Sequence, residues 1–168
     1  FVTYSPVDPS PAELLRQMNN TLQPTLAPTK FGTLFSGVLD PPTGSVEFAN
    51  AGHTPPLVVR KGTVQELDST DLVLGLIANA AYRNQTVVLG AGDAMILFTD
   101  GVTEAESEEG EELGPEATRV IVSSMHNTHA DAIVKHLEAS VLAHTGSRPP
   151  GDEVSIVALT RQQGVVGN

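Results

Sequence analysis

Ala94-Met95-Ile96-Leu97-Phe98 is the stretch that most constrains what this chain can fold into. Five consecutive apolar residues are too few for a helix of ordinary length and read as a strand covered on both faces. The run stops abruptly at Thr99-Asp100-Gly101. An Asp at the tip of such a strand is held rigidly beside a turn, and Gly101 lets the backbone approach closely whatever Asp100 holds. The same grammar recurs in mirror order, where Gly151-Asp152-Glu153 feeds Val154-Ser155-Ile156-Val157-Ala158-Leu159. If the two strands are neighbours in one sheet, two carboxylates about 50 residues apart in sequence meet at one end of it. Asp and Gly are also favoured at turns for local reasons, and either motif alone satisfies that plainer reading.

At 168 residues the chain is read as one domain, long enough for a real core. No apolar run is long enough to span a membrane, and no signal peptide is visible. The absence of cysteine removes disulfides, zinc-thiolate sites and a thiol nucleophile together, and it fits a reducing, cytoplasmic setting. A net charge of −11 argues against nucleic acid, whose binding rests on Lys and Arg at phosphates.

Ser10 to about Gln23 is predicted to be helical. Ser10 and Glu13 make a capping box, Pro11 takes the first helical position, and Leu14, Leu15, Met18 and Leu22 line one face. Thr33–Leu39 and Ser45–Asn50 read as a hairpin across Pro41-Pro42-Thr43-Gly44, and Leu57–Arg60 with Thr63–Leu67 as a second across Lys61-Gly62. Tyr82–Leu89 alternates weakly, and Gly90-Ala91-Gly92-Asp93 turns into the strand 94–99. Glu104–Glu112 holds six Glu in nine positions, a pattern of solvated loops, although its place just after Asp100 also suits a flap beside a site. Pro115–Met125 and Ala130–Ala143 read as helices, the second with Ile133, Val134, Leu137, Val141 and Leu142 on its apolar face. Residues 1–9 and 161–168 are expected to be peripheral, the latter a frayed tail. Strand hairpins followed by helices predict an α+β domain with antiparallel sheet.

Three segments in order carry a family resemblance: Phe48-Ala49-Asn50-Ala51-Gly52-His53-Thr54-Pro55-Pro56-Leu57; Gly92-Asp93 leading to Leu97-Phe98-Thr99-Asp100-Gly101-Val102-Thr103-Glu104-Ala105; and Asp152-Glu153-Val154-Ser155-Ile156-Val157. With Leu74-Gly75-Leu76 between them and the helix at Ser10-Pro11-Ala12-Glu13-Leu14-Leu15 before them, the chain over residues 10–160 resembles the SpoIIE/RsbU-type branch of the metal-dependent (PPM) protein serine/threonine phosphatases. The resemblance implies a sandwich of two antiparallel β-sheets flanked by helices, with a two-metal site at one end. Two departures stand out. The family's upstream Gly-Asp-x-x-Asp segment is not supplied by residues 1–9, where Asp8 stands alone, and Glu153 stands where this branch more often has a second Asp. An early strand lying outside the chain would leave a sheet edge open, and a second copy of the chain is then an expected occupant.

The resemblance implies Mn²⁺ or Mg²⁺ held by Asp100, Gly101 and Asp152, with a metal-bound water as nucleophile and a phosphorylated Ser or Thr as substrate. The implied partner is an anti-anti-sigma factor, a small STAS-type domain. His53 is the candidate proton donor to the leaving alkoxide; packing beneath its own loop is the plainer and favoured reading, and Asn50 is similarly ambiguous. His126, His129, His136 and His144 do not make a zinc set, because His126 and His129 straddle a predicted helix break at Asn127-Thr128. Gly90-Ala91-Gly92 precedes a strand, not a helix, and is no phosphate cradle. The rival to an active enzyme is a pseudophosphatase of the same fold that serves as an interaction or regulatory module.

Overall fold

The computed structural model describes residues 10–27, 29–68, 71–148 and 151–162. In chain order its elements are α1 (Pro11–Leu22), β1 (Leu34–Asp40), β2 (Ser45–Ala51), β3 (Leu57–Arg60), β4 (Thr63–Glu66), β5 (Gln85–Val88), β6 (Ala94–Phe98), a single 3-10 turn (Asp100–Val102), α2 (Gly114–Ser123), α3 (Ala130–Thr145) and β7 (Ile156–Thr160). The fold class is α+β with two antiparallel sheets, of order β1-β2-β5 and β4-β3-β6-β7. The described residues fall into two compact units. The first runs to position 53 and resumes over 71–88; the second takes 54–68 and everything from 89 onward.

In the first unit α1 packs on β1 and β2. Its Ser10 hydroxyl accepts from Glu13 N at 3.4 Å as a cap should. The reciprocal half of the capping box does not form. The Glu13 carboxylate turns outward to Arg16 Nε at 2.7 Å and Gln17 Nε2 at 2.9 Å, because a charged fork one turn on outcompetes a neutral backbone N–H. The helix buries the expected face through Leu15, with Met18 and Leu22 packed against the same core, and departs from it at one position. Leu15 is fully buried but Leu14 lies at the exposed side, and the deepest polar residue is Asn19. The Asn19 amide donates to Ile77 O at 3.0 Å and accepts from Gly75 N at 2.8 Å, pinning the connection that follows position 71. Leu15, Ala49, Ala51 and Leu74 form the core here, and Phe35 stacks on Phe48 with ring centroids 5.4 Å apart. β5 is shorter than the Tyr82–Leu89 expectation for a local reason: Arg83 N donates to the Asp71 carboxylate at 2.8 Å, and Asn84 Oδ1 accepts from Ala12 N at 2.7 Å. Those groups bond outside the ladder.

In the second unit β6 is central, with β3 on one side and β7 on the other. Ala94, Met95 and Ile96 are fully buried, as the apolar run requires. Burial of side chains such as Met95 and Ile96 contributes about 1.5–3 kcal/mol each. The β3–β4 hairpin turns at Lys61 and Gly62, both at positive φ (49° and 80°), which matches the twist of the strands it joins. α3 covers the sheet with Ile133, Leu137 and Val141, whereas Leu142 is exposed. Asp93 is buried and closes the turn before β6, accepting from Gly90 N at 2.8 Å and Arg60 Nε at 2.7 Å. Arg161 corrects the expectation of a fraying tail. Its backbone bonds both ways across that turn, with Gly92 N to Arg161 O at 2.7 Å and Arg161 N to Asp93 O at 3.1 Å, and its guanidinium reaches Leu89 O. The expectations for residues 1–9 and 163–168 lie outside the described residues.

Two tests follow from the first unit. Asn19→Ala removes a fully buried side chain together with its bonds to Gly75 N and Ile77 O, and is expected to cost about 1–3 kcal/mol in urea unfolding, against less than about 1 kcal/mol for Leu14→Ala. The Glu13 carboxyl is held down from 4.5 to about 2, by the Arg16 bond first and Gln17 second. A carboxyl depressed in the folded state stabilises above its unfolded value and loses that contribution as pH falls through the folded one. The wild type should therefore lose more stability than Glu13→Gln between pH 4.5 and about 2, by a small margin because the pair is fully exposed.

Candidate functional site

The register of β6 against β7 positions the site. Phe98 pairs with Ile156, and beyond that pair the two chains continue side by side. Thr99 N donates to Ser155 O at 3.1 Å, while the Thr99 hydroxyl donates to Glu153 O at 2.7 Å and accepts from Ser155 N at 3.0 Å. Asp100 and Asp152 therefore emerge at the same end of one antiparallel pair, as two neighbouring strands demand. Both are exposed. One Asp100 carboxylate oxygen accepts from Gly101 N at 3.1 Å, and no other hydrogen bond reaches either carboxylate among the described residues.

Gly101 is required for a reason the sequence only half anticipates. A Cβ built there meets Glu153 O at 2.8 Å, Glu153 C at 3.1 Å and Asp152 O at 3.4 Å. The close approach is thus between two backbones: no side chain fits where the strand after β6 crosses the segment before β7. Gly151 has nothing within 4 Å of such a Cβ.

Gly101 and Asp152 line a cavity of about 300 Å³ together with Glu104, Glu106, Glu112, Arg148 and Gly151. Asp100 adjoins it in sequence but is not among the lining residues. The acidic run that supplies three of the walls is not a loose solvated loop. Val102 and Ala105 are buried in the core beneath it, with Ile96, Ile133 and Leu137. Leu113 N to Ala105 O (2.9 Å), Gly114 N to Thr103 O (2.8 Å) and an antiparallel bridge of Glu106 to Glu112 close it as a small hairpin. The end of α3 then fastens its outer edge. His144 Nε2 meets Glu111 O at 2.9 Å, and Ser147 donates to Glu108 from its hydroxyl (2.6 Å) and backbone (3.1 Å). Arg148 forms an ion pair with Glu106. The Ser147 bonds, the hydroxyl one foremost, hold the Glu108 carboxyl below its ordinary value.

His53 belongs to the first unit, whereas Asp100, Gly101 and Asp152 share the second. The Asn50 side chain brackets the His53 backbone, accepting from His53 N at 2.8 Å and donating to His53 O at 2.9 Å, so Asn50 shapes this loop. His126 buries its Nδ1 with no hydrogen-bond partner among the described residues. The sequence reading missed Arg148 altogether, and a lone Arg before two prolines offers no signal that would find it.

The donors fit a hard divalent cation in kind. Exposed carboxylate oxygens at Asp152 and its Glu neighbours, in a cavity whose lining holds no sulfur or imidazole, suit Mg²⁺ or Mn²⁺. In number they fall short, for no group of three or more His, Cys, Asp or Glu among the described residues is arranged to hold an ion.

Comparison with known proteins matches residues 1–162 to the model of the family described as Stage II sporulation protein E (SpoIIE). The chain belongs to the SpoIIE family. Among curated relatives, RsbU of Bacillus subtilis, a phosphoserine phosphatase by name, is 28% identical over 134 residues, covering 79% of this chain and 40% of RsbU. Protein IcfG of Synechocystis sp. is 26% identical over 132 residues, covering 78% of this chain and 21% of IcfG. The chain thus spans less than half the length of either relative. Among solved structures, the SiaA-PP2C domain of Pseudomonas aeruginosa superposes with a TM-score of 0.78 at 21% identity, over 90% of this chain and 61% of that one. The phosphatase domain of SpoIIE from Bacillus subtilis (Mn presoaked) gives 0.65 at 20% identity, over 95% and 68%. At such identities these two likenesses show the fold, which is that of the PP2C-type phosphatase domains. Among the described residues no helix is long and apolar enough to cross a membrane.

Gly101→Ala is expected to destabilise the SpoIIE-family domain by about 1–3 kcal/mol through backbone displacement, while Gly151→Ala stays within about 0.5 kcal/mol. Urea unfolding of the two variants checks the contrast.

Proposed function

We propose that this SpoIIE-family domain hydrolyses phosphoserine or phosphothreonine in a partner protein, with Mn²⁺ or Mg²⁺ held in part by Asp100, Gly101 and Asp152. The observation that carries the reading is the β6–β7 register, which brings Asp100 and Asp152 to one end of one strand pair beside an acidic cavity. Membership of the SpoIIE family and the likeness to RsbU support the choice of phosphoprotein substrate. The finer substrate we propose is a phosphorylated STAS-type anti-anti-sigma protein, on the strength of the RsbU likeness, and the setting is cytoplasmic.

Divalent ions in such a site lower the pKa of a bound water and clamp the phosphoryl oxygens for in-line attack. The chain's own part is positional. Thr99 ties the β6 end to Glu153 and Ser155, and the absence of a side chain at Gly101 lets the backbone bearing Asp152 lie against it. The backbones that carry the two carboxylates are thereby held side by side. For His53 we retain the role of candidate proton donor to the leaving oxygen.

One observation favours a second reading, a catalytically inactive module: the described residues lack a third converging ligand. Hydrolysis of a phosphoserine peptide in Mn²⁺ separates the two. The enzyme reading expects turnover by the wild type and a loss of at least about a hundredfold in Asp100→Asn and in Asp152→Asn. A wild type that binds phosphoprotein but never turns it over would establish the inactive module instead.

A further inference from the structure

Among the described residues that line the cavity, Arg148 is the only cation, set among Glu104, Glu106, Glu112 and Asp152. A phosphoryl group entering there passes four carboxylates, and beside the divalent ions proposed above Arg148 is the counter-charge that the described lining itself supplies. Arg148 also packs little for so committed a position. Its side chain is 46% exposed, it forms an ion pair with Glu106, and Nη1 donates to Ser107 O at a long 3.4 Å. A guanidinium carries five N–H donors in a planar fork, so these two contacts leave donors unspent.

We propose that Arg148 is a phosphate-recognition residue of this site, presented by Glu106 and Ser107 so that the free edge of its fork takes two oxygens of the phosphoryl group. Glu106 serves two ends. It aims the guanidinium, and as a carboxylate it occupies the kind of partner that a phosphate resembles. The neighbouring fastenings of the acidic hairpin, Ser147 to Glu108 and His144 to Glu111, hold that arrangement from outside the cavity lining. The inference deepens the phosphatase reading and rests on it for the identity of the anion.

A plain structural role, in which Arg148 merely staples the hairpin to the end of α3, makes a different forecast, and Glu108→Gln isolates it. That variant loosens the adjacent staple and leaves Arg148 in place. Inorganic phosphate is titrated calorimetrically into the protein in Mg²⁺, with circular dichroism confirming the fold of each variant. Recognition by Arg148 expects phosphate binding to weaken about tenfold in Arg148→Ala, the loss of a charge-assisted contact. It expects only partial recovery in Arg148→Lys, which keeps the charge and loses the fork. In Glu108→Gln, binding should stay within about twofold of the wild type. With phosphoserine peptide, Arg148→Ala should raise KM more than it lowers kcat, the pattern of lost ground-state binding.

Equal losses in Arg148→Ala and Glu108→Gln would overturn the proposal in favour of the staple, and so would full recovery in Arg148→Lys or unchanged binding in Arg148→Ala. A wild type that binds no phosphate overturns it outright. The two readings fail separately. Turnover that depends on Asp152 with phosphate affinity indifferent to Arg148 sinks only this inference. Phosphate held through Arg148 without any turnover sinks only the enzyme reading.

Discussion

The antiparallel pairing of β6 with β7 is the constraint on which the candidate site depends. Pairing in a sheet admits no half measures, since a slip of one residue turns every side chain to the opposite face. Here the register is pinned twice. Met95, Ile96 and Phe98 lose their burial if β6 shifts, and the Thr99 hydroxyl bonds to both Glu153 and Ser155 just past the last ladder pair. Gly101 adds a third restriction, because its backbone lies against that of Glu153 with no room for a methyl group. Placement of Asp100 and Asp152 is therefore mainly a consequence of core packing in the second unit, to which the Asp100 carboxylate adds its bond from Gly101 N.

The acidic hairpin raises the opposite problem. Six Glu within nine positions repel one another, and in isolation such a run stays extended and solvated. Two devices order it. Beneath, Val102 and Ala105 alternate inward and anchor the base in the core. Outside, the last turn of α3 and the residues after it deliver His144, Ser147 and Arg148 to three successive stretches of the run. Like charges tolerate proximity when each is paid for by a hydrogen bond or a counter-charge, and Glu108 and Glu106 have theirs.

Much of this was legible in the sequence because it is local. The five-residue apolar run, the Lys61-Gly62 hairpin turn, the Ser10 cap and the α3 face all depend on neighbours within a few positions, and all formed close to where they were expected. What escaped notice depends on partners far away. Asn19 looks like an ordinary polar position on a helix, and only the fold brings Gly75 and Ile77 to its two ends. Asp93 reads as a turn residue until Arg60 reaches it from another strand. Glu13 shows the complementary failure: the capping-box pattern was correct as a pattern, but Arg16 and Gln17 offered stronger donors at the same range. For the site, the two Asp just past their strands and the need for a glycine at 101 were legible, but that the close approach at Gly101 is to the Glu153 backbone was not, the acidic run was expected to be solvated, and Arg148 carried no local signal.

Taken together, the second unit separates what must be rigid from what must meet the ligand. The carboxylates that would face an ion lie just beyond a strand pair whose register the core enforces, so their backbones are brought together without an ion. The one cation among the described lining residues sits instead beyond a helix end, half exposed, on a side chain with several rotatable bonds. That division suits phosphoryl chemistry. Hard cations such as Mg²⁺ reward donors already in place, because they demand near-ideal octahedral geometry and give up their waters reluctantly. A protein-borne phosphate arrives on a chain of variable shape, and a flexible guanidinium can follow it without disturbing the strand ends. In the proposed reaction, backbone held in place at Asp100 and Asp152 and reach at Arg148 would be complementary demands, met on different elements of the same unit.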